Sequence, residues 1–346
     1  MLMIKLKKYS LIFILGAITS GNGLAQNKLK SIRLPEDING VNEEYSGITL
    51  HHNRVYLLPQ YGNHKETKTE GEFNIYSLLA DSVNRVISGR DSTLTAYKVL
   101  RLRNLDKLPS IIKQNYQGFE SITIVGNQVY LALETPTMHY YCYLFKGTLD
   151  TAKSEIRLDI KNYISLRRYP YIENAGFESI AYLPKEKKLL AYYEFNGMPD
   201  GGIAYLIDPT FKKPLQQIKA PFLYFRIADI TTDSNDRIYG INYYWNGDYN
   251  YYLNNGILQN REEGIKKSVP DLESKLNSDT NYLKKNTYAR IITLKSHKEK
   301  QWQQIATFEG EKNNWEGITL FNKGALLITD ANRSAKQLSS FAYIEF

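Results

Sequence analysis

The stretch Phe119-Glu-Ser-Ile-Thr-Ile124 is the part of this chain from which a fold can be predicted, because related stretches return along the sequence. The other four are Tyr45-Ser-Gly-Ile-Thr-Leu50, Phe177-Glu-Ser-Ile-Ala-Tyr182, Ala228-Asp-Ile-Thr231 and Trp315-Glu-Gly-Ile-Thr-Leu320. Their shared isoleucines are 74, 58, 50 and 88 residues apart. Self-similarity at intervals of this size is typical of repeat architectures.

Each repeat begins with a predicted β-hairpin. A turn such as Gly126-Asn127 or Asn235-Asp236 follows the repeated stretch, and Asn, Asp and Gly favour hairpin turns. A second apolar run comes next, and two more strand-like runs follow in the second, third and fourth repeats. Four antiparallel strands in each repeat predict an all-β fold, a β-propeller with five blades. The polar segment 245–287 is interpreted as an insertion of loop and short helix, and a degenerate sixth blade within it is the alternative.

The two ends of the chain indicate how the ring of blades closes. After the last hairpin only one strand-like run remains, Phe341 to Phe346, whereas an isolated run, Leu29 to Leu34, lies near the N-terminus. We expect this N-terminal strand to complete the last blade, which removes an open sheet edge. Residues 26–346 are therefore expected to form one propeller domain.

The first 25 residues are typical of a secretory signal peptide. A positive segment with Lys5, Lys7 and Lys8 comes first. An apolar run from Leu11 to Ile18 follows, and Gly23-Leu24-Ala25 suits cleavage after Ala25. The apolar run is too short for a membrane span, which takes about 20 residues, and no other stretch approaches that length. The sequence thus predicts an exported protein, periplasmic or secreted, without a transmembrane segment.

Charge and cysteine content narrow the function classes. Without the three lysines of the leader, the formal net charge falls from +8 to +5, which is modest for this length. No run of Lys or Arg with interleaved aromatic residues is present, so nucleic-acid binding is not expected. Cys142 is the only cysteine and lies in an apolar run, which predicts a buried structural thiol and no internal disulfide. The protein is expected to be a monomer.

The direction of the strands selects a candidate site. In a propeller, the start of each blade's first strand and the end of its returning second strand lie at the same end of the central axis. The starts carry Ser46, Glu120, Glu178, Asp229 and Glu316, and the ends carry Gln60, Glu134, Glu194, Asn242 and Asp330. Paired positions are 14 residues apart in three blades, 16 in the third and 13 in the fourth. We therefore expect a lopsided ring of acids at one mouth, with no acid from blade one.

Such a ring predicts a cation. Buried like charges either take up protons or recruit an opposite charge. Carboxylate and amide oxygens suit Ca²⁺, whereas no spacing of His or Cys indicates zinc. The predicted Ca²⁺ ligands are Glu120, Glu134, Glu178, Glu194, Asp229, Glu316 and Asp330, and three of them, Glu120, Glu178 and Glu316, are also the predicted catalytic carboxylates. The alternative is that individual acids cap strands or pair with nearby Arg.

Basic side chains are expected in the loops around the same mouth. The candidates are His64, Lys65, His139, Arg167, Arg168, Arg226 and Arg333. Four of them, His139, Arg168, Arg226 and Arg333, are predicted to bind a small anionic substrate, since Arg makes bidentate contacts with phosphate or carboxylate. The alternative is that the arginines neutralise the acids directly. The insertion at 245–287 leaves blade four at its second strand and is expected to overhang the mouth.

At these repeats the chain resembles the phytase-like propeller family, described as having the esterase-like activity of phytase, and related exported propellers described as SdiA-regulated. The resemblance is carried by Phe119-Glu-Ser-Ile-Thr, Phe177-Glu-Ser-Ile-Ala, Trp315-Glu-Gly-Ile-Thr and Thr329-Asp-Ala-Asn332, which span most of the chain. It implies a propeller, export and Ca²⁺-dependent hydrolysis of phosphate or other esters. The first repeat departs from the pattern at Ser46, and no dense set of phosphate-binding lysines is present.

Two functions remain open at this point. The first is a calcium-dependent hydrolase of a small phosphate or other anionic ester, in which one carboxylate acts as general base. The second is a non-catalytic propeller that binds a ligand or partner and uses the acids to hold a structural cation, since a fold does not determine a function. A nucleophilic serine is not expected, because no Gly-x-Ser-x-Gly stretch is present.

Overall fold

The structure, a computed structural model, describes residues 29–40, 43–62, 72–168, 172, 175–198, 201–254, 270–307, 313–331 and 339–346. The predicted signal peptide and its cleavage point lie outside these residues. No helix in the described part of the chain is long and apolar enough to cross a membrane.

Strands dominate the described residues. In chain order they are β1 (Lys30–Ile32), β2 (Tyr45–His51), β3 (Arg54–Pro59), β4 (Phe73–Leu79), β5 (Lys98–Arg103), β6 (Phe119–Val125), β7 (Gln128–Leu133), β8 (Tyr141–Asp150), β9 (Glu155–Arg167), β10 (Ser179–Leu183), β11 (Lys188–Tyr192), β12 (Gly202–Ile207), β13 (Gln216–Ala220), β14 (Arg226–Thr232), β15 (Ile238–Tyr244), β16 (Tyr288–Leu294), β17 (Gln303–Thr307), β18 (Asn314–Phe321), β19 (Gly324–Asp330) and β20 (Phe341–Glu345). The α-helices are Ala80–Ile87, Ser110–Gln114, Tyr249–Asn254, Pro270–Ser278 and Tyr282–Lys285, and 3-10 turns lie at Glu36–Ile38, Leu105–Lys107 and Asn246–Asp248.

The strands form four-stranded antiparallel meanders. Two sheets, β10 to β13 and β14 to β17, each contain one meander, and the eight-stranded sheet contains two, β2 to β5 and β6 to β9. The outer strands of these two meanders, β5 and β9, pair in parallel. Arg101 lies opposite Glu155, and Arg103 lies opposite Arg157. A fifth meander consists of β18, β19, β20 and β1.

These meanders surround a central axis. The first strands β2, β6, β10, β14 and β18 contact one another in that cyclic order, and β18 contacts β2 again. The all-β propeller predicted from the repeats is therefore confirmed, and each meander is a blade. In the described part of the insertion, 245–254 and 270–287, the chain forms helices and turns and no strand.

The N-terminal strand closes the ring as predicted. Strand β1 pairs antiparallel with β20, with Lys30 opposite Tyr343 and Ile32 opposite Phe341. The last blade thus takes three strands from the C-terminal part of the chain and one from the N-terminal part, and β1 covers the outer edge of β20.

Aromatic residues at the start of the repeats pack between blades. Tyr45, Phe119, Phe177 and Trp315 are almost completely buried. Phe119 of blade two lies edge to face with Phe73 of blade one, with ring centroids 5.5 Å apart. Such contacts explain why an aromatic residue precedes the polar one in four repeats. The predicted burial of Cys142 is confirmed, because its free thiol is fully buried and burial raises its pKa to about 11.

Gly324 provides a test of the closed last blade. A Cβ atom built at Gly324, at the start of β19, would lie 1.9 Å from the carbonyl oxygen of Ile344 in β20. We expect Gly324→Ala to lower the free energy of unfolding by on the order of 3 kcal/mol, since the backbone of a paired strand cannot move aside cheaply. Chemical denaturation measures this loss.

The matched control is Gly126→Ala. Gly126 also lies in a hairpin, its φ is 60°, and no heavy atom lies within 4 Å of a Cβ built there. We expect this variant to lose only about 1 kcal/mol, the cost of a left-handed conformation for a residue with a Cβ. Equal losses in the two variants would contradict the tight pairing of β19 and β20.

Candidate functional site: an acidic mouth

One end of the channel opens into a cavity of about 510 Å³, which we call the acidic mouth. Its lining residues are Glu44, Tyr45, Ser46, Gln60, Tyr61, Glu120, Glu134, Glu178, Glu194, Arg226, Ala228, Tyr243, Trp245, Asp248, Asn314, Glu316 and Asp330. Six of the seven predicted cation ligands are among them, so the strand directions correctly predicted that these six side chains line one cavity.

A β-bulge directs the first-strand residues into the acidic mouth. The pairing of β6 with β7 shifts register between Phe119 and Ser121, and Glu120 is the extra residue. The same shift occurs between Trp315 and Gly317, where Glu316 is the extra residue. Because a bulge turns its extra residue away from the regular alternation, the aromatic neighbour packs in the core while the acid faces the channel.

Asp229 is not a member of the acidic mouth, and its predicted role as a cation ligand there is wrong. The bulge in blade four lies between Ile227 and Asp229, so Ala228 occupies the position that Glu120 has in blade two. Ala228 lines the mouth instead. The isoleucine alignment already held this signal, since Asp229 directly precedes Ile230 as Ser121 precedes Ile122.

Asn242, which was also predicted to lie at the mouth, is one residue away from the residue that lines it. It pairs with Ile227, is fully buried, and its side chain donates to the carbonyl of Arg226 and accepts from Arg290 Nε. The next residue, Tyr243, lines the mouth. The first two strands of blade four therefore contribute Arg226, Ala228 and Tyr243 and no acid.

The predicted basic rim is largely absent from the described lining. Arg168 is only 2% exposed, and its Nη1 donates to the carbonyl of Thr135 away from the cavity. His139 lies on a loop with Nδ1 3.1 Å from the carbonyl oxygen of Tyr141, and neither it nor Arg167 lines the mouth. The other candidates, His64, Lys65 and Arg333, lie outside the described residues.

Of the predicted basic residues that the structure describes, Arg226 alone lines the acidic mouth. Its guanidinium lies 2.5 Å from Glu194 Oε1 and 3.1 Å from Asp248 Oδ2. Asp248 belongs to the insertion, so the prediction that the insertion overhangs the mouth is confirmed for its described beginning. These two ion pairs follow the alternative interpretation, in which an arginine neutralises the acids directly.

Burial and mutual repulsion keep several of the acids from ionising easily. Burial raises the pKa of Glu120 well above its usual range, and the nearby Glu134 adds to the effect, although Gln60 donates to Glu120 at 2.7 Å. Burial also raises the pKa of Glu178, with Glu194 adding to it. The pKa of Glu316 is likewise well above its usual range through burial and the neighbouring Asp330.

Glu134 has a raised pKa that lies near neutrality. Burial and the charge of Glu194 raise its pKa to about 7, while Arg168 and Arg226 oppose the rise. Arg168 thus acts on the site through its charge from behind the cavity wall. At neutral pH Glu134 therefore exists in both protonated and ionised forms.

Several lining residues were not predicted from the sequence. Glu44 lies before the first repeat, and Trp245 and Asp248 lie in the insertion. Of these three, only Glu44 could have been predicted, because it lies two residues before Ser46 and so near the start of the first strand of blade one. The position of Asp248 depends on how the insertion folds back, which no repeat indicates.

Comparisons with known proteins leave the family open. No protein-family model matches the sequence, and no curated protein matches it significantly. The resemblance to the phytase-like family therefore stays a prediction.

Several solved enzyme structures are similar to this chain in fold. One is the PQQ-bound aldose sugar dehydrogenase from Streptomyces coelicolor, with a TM-score of 0.49 and 11% identity over 93% of this chain and 99% of that chain. Another is CoXyl43, a GH43 β-xylosidase/α-arabinofuranosidase from a compost microbial metagenome, in a calcium-free form, with a TM-score of 0.47 and 10% identity over 92% and 95%. A GH43_1 enzyme from Xanthomonas citri has a TM-score of 0.47 and 10% identity over 92% and 90%. Similarity this distant carries no inference about the substrate of this chain.

Proposed function

We propose that the acidic mouth is a cation-dependent hydrolytic site for a small ester, with Ca²⁺ as the cation. The observation that supports this proposal is the charge of the cavity. Among the described residues, eight acidic side chains and a single arginine line one space of about 510 Å³. So many acids in one partly buried cavity favour the uptake of protons or of a cation.

The donor chemistry of the acidic mouth suits Ca²⁺, which takes six to eight oxygen ligands. Carboxylates are joined there by the amide side chains of Gln60 and Asn314. Among the described residues, no three His, Cys, Asp or Glu side chains are grouped closely enough to hold one ion. Binding therefore requires that the carboxyl groups lose protons and move together. A bound Ca²⁺ would supply a positive charge next to the ester.

General acid–base catalysis is the chemistry that the side chains themselves support. A carboxylate whose pKa is near the working pH is an effective general base, and Glu134 has a pKa of about 7. Glu120, Glu178 and Glu316, whose pKa values lie well above the usual range, can keep protons for a leaving group. In this proposal Glu134 takes a proton from water and one of the three glutamic acids donates a proton.

Turnover measurements test the proposal. Purified protein should hydrolyse at least one member of a panel of aryl esters, lactones and phosphomonoesters in Ca²⁺ and lose this activity in chelator. Glu134→Gln should lower kcat by a factor on the order of 100, the usual share of a general base. The matched control Glu299→Gln changes an exposed acid away from the cavity and should keep full activity. Absence of calcium-dependent turnover across the panel would remove the support for a hydrolase.

A non-catalytic binding propeller is the second candidate, and the insertion favours it. Asp248 attaches the insertion to Arg226 at the rim, and Tyr252 of the same insertion is buried against Phe195 and Phe225. A segment packed over the mouth in this way can form part of a binding surface. Binding of Ca²⁺ without turnover on any panel member would favour this second function.

A further inference from the structure

The charge of the acidic mouth restricts the organic ligand as well as the ion. The described lining residues include eight acids and one arginine. If Glu120, Glu178 and Glu316 keep their protons, five acids still remain against Arg226, which already pairs with Glu194 and Asp248. One Ca²⁺ would cancel two of these charges and leave an excess of negative charge. Such a cavity attracts a positively charged group and repels an anion.

Glu134 has an atom that lacks a partner. Its side chain is 7% exposed, and Oε1 makes no hydrogen bond even though it is buried. A buried carboxyl oxygen without a donor is costly, because the group has lost water and gained nothing in return. Oε1 lies against Gly176, but Glu134 lines the cavity, so a small rotation of its carboxyl group would bring this oxygen to the N–H of an ammonium or guanidinium group there.

Trp245 supplies a surface for the carbon part of a ligand. Its side chain is 52% exposed and lines the cavity. The indole ring packs against Gly247, where a built Cβ would be 2.3 Å from a ring carbon, so one face of the ring is in contact with the backbone. An aromatic face beside a cluster of acids is the combination that recognises organic cations through cation–π contact.

The size of the cavity agrees with an organic ligand. A volume of about 510 Å³ exceeds the space that one ion fills and lies in the range of small-molecule pockets. We propose that the acidic mouth binds a small organic cation, with an amine or guanidine nitrogen at Glu134 and its carbon skeleton against Trp245. The inference rests on the proposed function and names its substrate class, an ester that carries a positive charge.

A matched series of four-carbon probes tests the inference. 1,4-Diaminobutane, 1,4-butanediol and succinate have similar length and carry positive, neutral and negative ends. Calorimetry at pH 7.5 should show binding of the diamine and no binding of the diol or succinate. The diamine should also shift the tryptophan fluorescence, because Trp245 is exposed while Trp302 and Trp315 are 6% and 1% exposed.

Variants locate the binding. Glu134→Gln and Trp245→Ala should each weaken diamine binding at least tenfold, whereas Glu299→Gln should leave it unchanged. Binding of succinate as tight as that of the diamine would overturn the inference, as would diamine binding that is insensitive to both mouth variants. A Ca²⁺ titration on the same samples separates the two proposals. If Ca²⁺ binds and the diamine does not, the inference is wrong and the proposed function stands, whereas failure of both ligands contradicts both.

Discussion

Asp229→Ala should lower the free energy of unfolding by about 3 to 5 kcal/mol, the largest loss that we expect from a single substitution in this chain. Asp229 is 2% exposed, and its carboxyl oxygens accept from Ser121 Oγ at 3.1 Å and from the backbone N–H of Ile318 at 3.0 Å. Ser121 Oγ in turn accepts from the N–H of Ile180 at 3.2 Å. The network joins the first strands of four blades near the axis, where no sheet ladder connects them.

Denaturant unfolding measures this loss, and two variants serve as controls. Asp229→Asn keeps the size of the side chain and one acceptor oxygen, so it should retain part of the stability. Asp106→Ala changes an exposed aspartate and should stay within about 0.5 kcal/mol of the unchanged protein. A loss at Asp229→Ala no larger than that at Asp106→Ala would show that the axial network does not hold the blades together.

The stability of the protein in chelator should fall as the pH rises from about 5 to about 8. The pKa of Glu134 is raised from 4.5 to about 7 in the folded chain, so the unfolded chain gives up this proton first. An acid with a raised pKa stabilises the folded state below its unfolded pKa, and the contribution is lost as the pH rises through the folded pKa. For Glu134 alone this corresponds to on the order of 3 kcal/mol.

Thermal unfolding at several pH values measures the trend. Glu120, Glu178 and Glu316 have pKa values raised in the same direction, so they should extend the fall toward higher pH. Glu134→Gln should flatten the dependence between pH 5 and 7, whereas Glu299→Gln should leave it unchanged. A melting temperature that rises over this range would contradict the burial of unneutralised carboxyl groups in the acidic mouth.

Much of the fold could be predicted because the repeats combine two simple physical signals. An aromatic residue that packs between blades precedes a strand, and a turn of Asn, Asp or Gly follows it. These signals located the inner hairpins, and the unmatched run near the N-terminus led to the pairing of β1 with β20. The parallel pairing of β5 with β9 had no such signal, because it depends on the length of β9 and the approach of two outer edges.

The candidate site could be predicted only in part. Glu120, Glu134 and Glu316 were placed correctly because the direction of a hairpin determines which of its ends meet. The same reasoning misplaced Asp229, because the bulged residue that faces the mouth lies two positions before the isoleucine, whereas Asp229 directly precedes Ile230. Arg168 and Asp248 depend on loop and insertion geometry, which local sequence does not determine.

Calorimetric titration of Ca²⁺ near pH 7, in two buffers with different heats of ionisation, tests the central claim most directly. If the acidic mouth binds a cation in exchange for protons, the measured heat will depend on the buffer and will show proton release on binding. Glu134→Gln should reduce the number of protons released, and Glu299→Gln should not. Absence of binding, or binding with no proton release and no response to Glu134→Gln, would contradict the account.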